Sequence, residues 1–237
     1  MPTKLLLVFA AVAAVAEAQN ALLAADLVKI FDAHNAAIKA KDADKALTMR
    51  SSAFRKSRHF EKKPSALEVQ MYLAYVADIT PVSYQVEYAA FDRDSKTKAS
   101  LGIVAKLTDD GVEKSRIVSF AFEKEGVAWK MGQHEFWMVD VDGMKRPKSL
   151  AFEQKTAFTE SWETSGRIVK VDAQGEYTLV IVRDNDSELA VFLPNKAGLA
   201  ELQLKPEDLD VGNTIQFSGL VQKQDTLRMW ATKATRL

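Results

Sequence analysis

The chain has 237 residues, 47% of them apolar, enough to bury a sizeable core and to divide into two small domains. Its 32 basic and 32 acidic residues cancel, so no global field draws it to nucleic acid or to a membrane surface. It contains no cysteine, which removes disulfides, thiolate nucleophiles and cysteine-ligated zinc together.

Residues 1–18 have the form of a secretory signal. Lys4 precedes a twelve-residue apolar run, Leu5 to Ala16, and Ala16-Glu17-Ala18 is a small-x-small cleavage site that would leave Gln19 first. The run is too short for an ordinary membrane span, so no transmembrane segment is expected after its removal. The expected localisation is export, to a periplasm or the extracellular space. The alternative is an uncleaved or buried N-terminal helix.

Leu22, Leu23, Leu27, Ile30, Phe31, Ala37 and Ile38 recur at helical spacing and predict a helix over 21–41. Asp42 or Asp44 can cap a shorter helix through Ala46, Leu47 and Met49. Residues 51–63 have no period and read as a basic loop. Ser65 with Glu68 forms a capping box for a third helix, whose apolar side is Leu67, Met71, Tyr72, Tyr75 and Val76, with Asp78 near its end. Thr80-Pro81 ends it.

Residues 82–137 predict four strands. Val82, Tyr84, Val86, Tyr88 and Ala90 alternate with polar or small neighbours, as do Ala99, Leu101, Ile103, Ala105 and Leu107. Val118, Phe120 and Phe122 follow, then Val127, Trp129 and Met131. Turn residues at 92–95, 108–111 and 124–126 separate them. Helices followed by an antiparallel meander imply an α+β domain over 19–137, with helices on one face of the sheet. The order of elements, the Lys41-Asp42-Ala43-Asp44 helix junction and the terminal Val127-Ala128-Trp129-Lys130-Met131 strand resemble the nuclear transport factor two-like cone. Ketosteroid isomerases and the SnoaL cyclases share that fold. The resemblance implies a curved sheet, a pocket between helices and sheet, and a homodimer through the open sheet face.

Residues 138–164 read as a linker whose Phe152, Phe158 and Trp162 dock on a neighbouring domain, through a short helix over 149–158. Five short alternating strands follow in 165–237, with a short helix over 196–204 between the third and fourth. Together with the stretch from Leu209 to Gly219, this order resembles the OB barrel, whose strands bind oligonucleotides or oligosaccharides.

The three histidines, His34, His59 and His134, have no second histidine at ligand spacing, so neither a metal site nor a cofactor is expected. No nucleophile elbow and no phosphate loop occurs. Three groups of candidate residues remain. Tyr84, Tyr88, Trp129 and His134 would shape a cone pocket, with the two tyrosines on the same inward face; as core aromatics they would simply fill it. Arg55, Lys56, Arg58 and His59 lie in a basic stretch with Phe54 and Phe60. It could hold an anionic partner, or it could be a solvated loop that packs its two rings. Tyr177, Phe192 and Trp230 are the barrel-surface aromatics that could stack a ligand. The barrel segment carries nine basic and ten acidic residues, against the positive groove a single-strand binder uses.

The sequence therefore ranks three functions. The first is an exported, non-catalytic binding or scaffold protein whose partner is another protein or a small molecule. The second is a small-molecule isomerase, cyclase or dehydratase with its site in the cone. The third is an envelope nucleic-acid or glycan binder acting through the barrel.

Overall fold

Leu23, Leu27 and Phe31 recur every four residues along one helix face, and all three are buried. In the computed structural model they belong to α1 (Thr3–Lys39), which also takes in most of the expected leader. The structure describes residues 3–60, 64–77, 79–92, 95–109, 111–194 and 198–237. Parts of the expected turns (93–94 and 110), the end of the basic stretch (61–63), Asp78 and the start of the expected helix at 196 lie outside them.

Lys41, at φ +58°, turns the chain out of α1. Asp42 then caps α2 (Ala43–Thr48) by accepting the Lys45 N–H at 3.0 Å. The stretch expected as a loop after 51 contains α3 (Ser52–Ser57). Ser51 caps it through the Phe54 N–H, and the Glu125 carboxylate accepts the Ser52 N–H and hydroxyl at its start. A six-residue helix burying only Phe54 leaves no period to read. The Ser65–Glu68 capping box forms as expected and opens α4 (Ala66–Ala77). The buried face of α4 is Tyr72 and Val76, whereas Leu67 and Met71 are 66% and 62% exposed, a correction to the expected apolar side.

Four strands follow in the antiparallel order β1-β2-β3-β4: β1 (Ser83–Phe91), β2 (Lys98–Asp109), β3 (Val112–Glu125) and β4 (Ala128–Asp140). The helices cover one face. Ala99, Leu101, Ile103, Ala105 and Leu107 of β2 and Val118, Phe120 and Phe122 of β3 meet α1 and α4 there. A bulge between Val86 and Tyr88 shifts the register of β1 on β2. Tyr84 and Val86 face the helices before it, opposite Ala105 and Ile103, and Ala89 and Phe91 do so after it, opposite Leu101 and Ala99. Tyr88, paired with Gly102, is thereby turned to the other face.

The second part is a closed barrel of five strands: β5 (Glu160–Gln174), β6 (Tyr177–Asp184), β7 (Ser187–Pro194), β8 (Thr214–Gln222) and β9 (Asp225–Arg236). They run in the order β5-β6-β7-β9-β8, with β5 paired back to β8 and β7 parallel to β9. A short α5 (Gly198–Glu201) lies between β7 and β8. Ile168, Val180, Val182, Val191, Phe217 and Met229 belong to its larger buried cluster. The expected helix over 149–158 is replaced by an irregular segment with a 3-10 turn at Lys155–Ala157, and Trp162 lies on β5, half exposed rather than docked. By contact the chain divides into two compact units, Met1–Glu113 with Val118–Glu135 and Lys114–Ile117 with Phe136–Leu237.

Candidate functional site

The junction between α2 and α3 is fastened to β4. The Met131 N–H donates to the Met49 carbonyl at 2.8 Å, and the Ser51 N–H donates to the Met131 carbonyl at 2.7 Å. Arg50, bridged to Met131 between these bonds, has no exposed surface. Its Nε donates to the Tyr72 hydroxyl at 3.2 Å and its Nη1 to the Gly132 carbonyl at 2.8 Å, and its guanidinium lies 4.4 Å from the Phe54 ring centroid. Its Nη2 is buried and has no hydrogen-bond partner. Among the described residues, no carboxylate pairs with Arg50.

Tyr72 links this cation to α1. Its hydroxyl lies 2.8 Å from His34 Nε2 and accepts from Arg50. Because that hydroxyl already accepts from Arg50, its own proton is available to His34 Nε2. Burial first, and the Arg50 charge second, lower the His34 pKa to about 3, with Asn35 pulling the other way. Burial raises the Tyr72 pKa, partly offset by Arg50. Nearer the surface, His134 on β4 shares a 3.4 Å hydrogen bond with Tyr75 of α4 and lies 6.0 Å from the Phe120 ring. Burial, then Arg50 and Arg58, bring its pKa down to about 4. The exposed Arg58 guanidinium covers the Tyr75 ring at 4.8 Å. Phe54 and Phe60 pack edge-on to Tyr72, at centroid distances of 6.5 and 5.5 Å. Donors thus run from exposed Arg58, through half-buried Tyr75 and His134, to buried Arg50, Tyr72 and His34, between aromatic walls.

This arrangement fixes a pH dependence. Both histidines stay neutral in the fold and regain a pKa near 6.5 on unfolding. The unfolded chain therefore binds protons first, so the stability these two histidines contribute is complete above about pH 7 and falls as the pH drops below 6.5. The loss continues down to about pH 4 for His134 and about pH 3 for His34. Between about pH 7 and 5, His34 alone accounts for roughly 2 kcal/mol. Urea midpoints measured across this range should fall in the wild type, and a His34→Gln variant should show a shallower fall; equal slopes would refute the assignment.

The four residues expected to shape one pocket do not converge. Tyr84 packs edge-on to Phe31 at 5.1 Å and donates to Asp32 at 2.6 Å; burial and this carboxylate raise its pKa. It lines an open cleft of about 300 Å³ with Asp32, Asn35, Lys39 and Ser83. Tyr88, expected beside Tyr84, is on the opposite sheet face because of the bulge, bonded to Ser119 Oγ at 2.9 Å. Trp129 is core, packed on Phe91 and flanked by the Lys124 ammonium. Of the four, His134 joins the Arg50 array. In the basic stretch, Arg55 and Lys56 lie in α3, Arg58 caps it, and His59 is exposed at φ +61°.

Of the barrel aromatics, Tyr177 and Trp230 are partly buried. Phe192 is fully buried, a correction to its expected place on the surface. Phe152 packs on Tyr177, Phe192 and Trp230 at centroid distances of 4.6, 5.6 and 5.4 Å. Glu153 beside it pairs with Arg228 at 2.7 Å and accepts from Gln222, contacts that lower its pKa, and Lys155 lies over Trp230.

No protein-family model matches the chain, and no curated protein matches it. The residue that sequence reasoning missed is Arg50. An arginine between two short helices reads as surface, and only its bridge to β4 turns it inward.

Proposed function

We propose that this chain is an exported, non-catalytic binding protein whose helix–sheet unit receives a small-molecule ligand. The observation that carries this reading is Arg50, a fully buried cation with an unpartnered Nη2. An uncompensated buried charge is destabilising, so a fold that keeps one is suited to a partner supplied from outside. The pKa values of His34 and His134, about 3 and about 4, lie far below the range in which a general base works at neutral pH, which supports binding over acid–base catalysis.

The element order supports a nuclear transport factor two-like cone for the first unit. The strand order β5-β6-β7-β9-β8, with α5 between β7 and β8, supports an OB barrel for the second. Phe152 on the barrel aromatics favours a protein-contact role there over stacking of a nucleic acid or glycan. Export is supported by the pattern of residues 1–18.

The test is a thermal-shift screen of the chain purified from its native cell envelope, against sugars, steroids, polyketides, nucleotides and carboxylic acids. At least one compound should raise the Tm and be recovered unchanged, and the protein should start at or near Gln19. Turnover of a bound compound would establish the enzyme reading instead. A panel without any shift would remove the ligand reading, and an intact Met1 would remove export.

A further inference from the structure

Three donor sites of the Arg50 guanidinium point in different directions, and the fold uses two of them. Nε is held by Tyr72 and Nη1 by the Gly132 carbonyl, which fixes the plane of the group and leaves Nη2 for another acceptor. Both acceptors are neutral, so they orient the guanidinium without cancelling its charge. Resting on the binding reading above, we infer that Arg50 anchors a monoanionic organic acid: its carboxylate pairs with Nη2, and an apolar body lies against the surrounding rings.

The class follows from the surroundings. A single cation compensates a single negative charge. A phosphate or sulfate dianion would leave a net charge among Phe54, Phe60, Tyr72 and Phe120, where desolvation penalises it heavily. Those rings match an aliphatic or aromatic acid. His34 and His134 are held neutral and add no second charge at pH 7. Arg58, exposed over Tyr75, marks the outer end of the same run of donors and favours approach of an anion from that side.

The test compares acids with neutral isosteres by titration calorimetry on the full chain at pH 7. The probes are octanoate and phenylacetate, octanamide and phenylacetamide, and inorganic phosphate. The acids should bind ~10–100-fold more tightly than their amides, the range expected of a charge-assisted hydrogen bond. Phosphate should not compete, and Arg50→Met should abolish the difference between acid and amide. If Arg50→Met does not fold, the Arg50 Nε–H resonance of the 15N-labelled wild type decides. Acid must shift it and amide must not. Equal binding of acids and amides would overturn the Arg50 anchor while leaving the binding protein intact. Preferred binding of phosphate would overturn the organic-acid class. If no probe binds and the broader screen is silent too, the binding reading itself fails.

Discussion

Phe192→Ala is expected to destabilise the barrel by about 3–5 kcal/mol, the range for deleting a fully buried aromatic ring. Phe192 has no exposed surface and meets Phe152, Phe158 and Tyr177. Its neighbours on β7 explain why it cannot be a ligand platform. Val191 and Leu193 point into one buried cluster and Ala190 and Phe192 into another, so both faces of the strand are covered. Phe152→Ala should have a smaller effect, because Phe152 is only partly buried. Urea unfolding followed by tryptophan emission, which reports through Trp162 and Trp230, measures both. A loss below about 1 kcal/mol for Phe192→Ala would return this ring to the surface.

Gly102→Ala is the second large effect, and its sign should depend on a partner. A Cβ at Gly102 would lie 2.0 Å from Tyr88 Cε1, so the ring and the added methyl cannot both keep their places. Tyr88 is 5% exposed and tied through its hydroxyl to Ser119, so it has little freedom to move. The substitution alone should destabilise by about 3 kcal/mol, as overpacking does. In a Tyr88→Ala background the same change should be neutral or stabilising by about 0.5–1 kcal/mol, because alanine is favoured over glycine within a strand. The difference is a coupling energy that a double-mutant cycle reads directly. Additive effects would show that the ring does not rest on Gly102.

How much of this was legible depended on whether a local rule governed each residue. The β2 alternation from Ala99 to Leu107 held because every inward residue meets the helices. The Ser65–Glu68 box was legible because both of its bonds are local. Tyr88 was misplaced because one extra residue in β1 reverses the faces after it, and nothing at Glu87 announces a bulge. Leu67 and Met71 were misplaced because α4 turns Tyr72 inward instead, toward His34 and Arg50. The first unit's polar array was legible only in pieces. His34, Tyr72, Tyr75 and His134 could each be named, but the cation that joins them is set by a contact between residues 50 and 131.

The way the barrel closes has a consequence for the order of its assembly. β5 pairs with β8, some fifty residues away in sequence, and the seam to β7 is made by β9 through Ala190, Val191 and Phe192. β5, β6 and β7 can form a meander by themselves, but the meander keeps an open edge until β9 joins it. The pairs between β1 and β2 in the first unit span far shorter separations, and all their residues are synthesised earlier. Folding should therefore be vectorial: the helix–sheet unit settles first, and the barrel waits on its last strand. A chain truncated before β9 should therefore keep a folded first unit followed by an unclosed, aggregation-prone sheet.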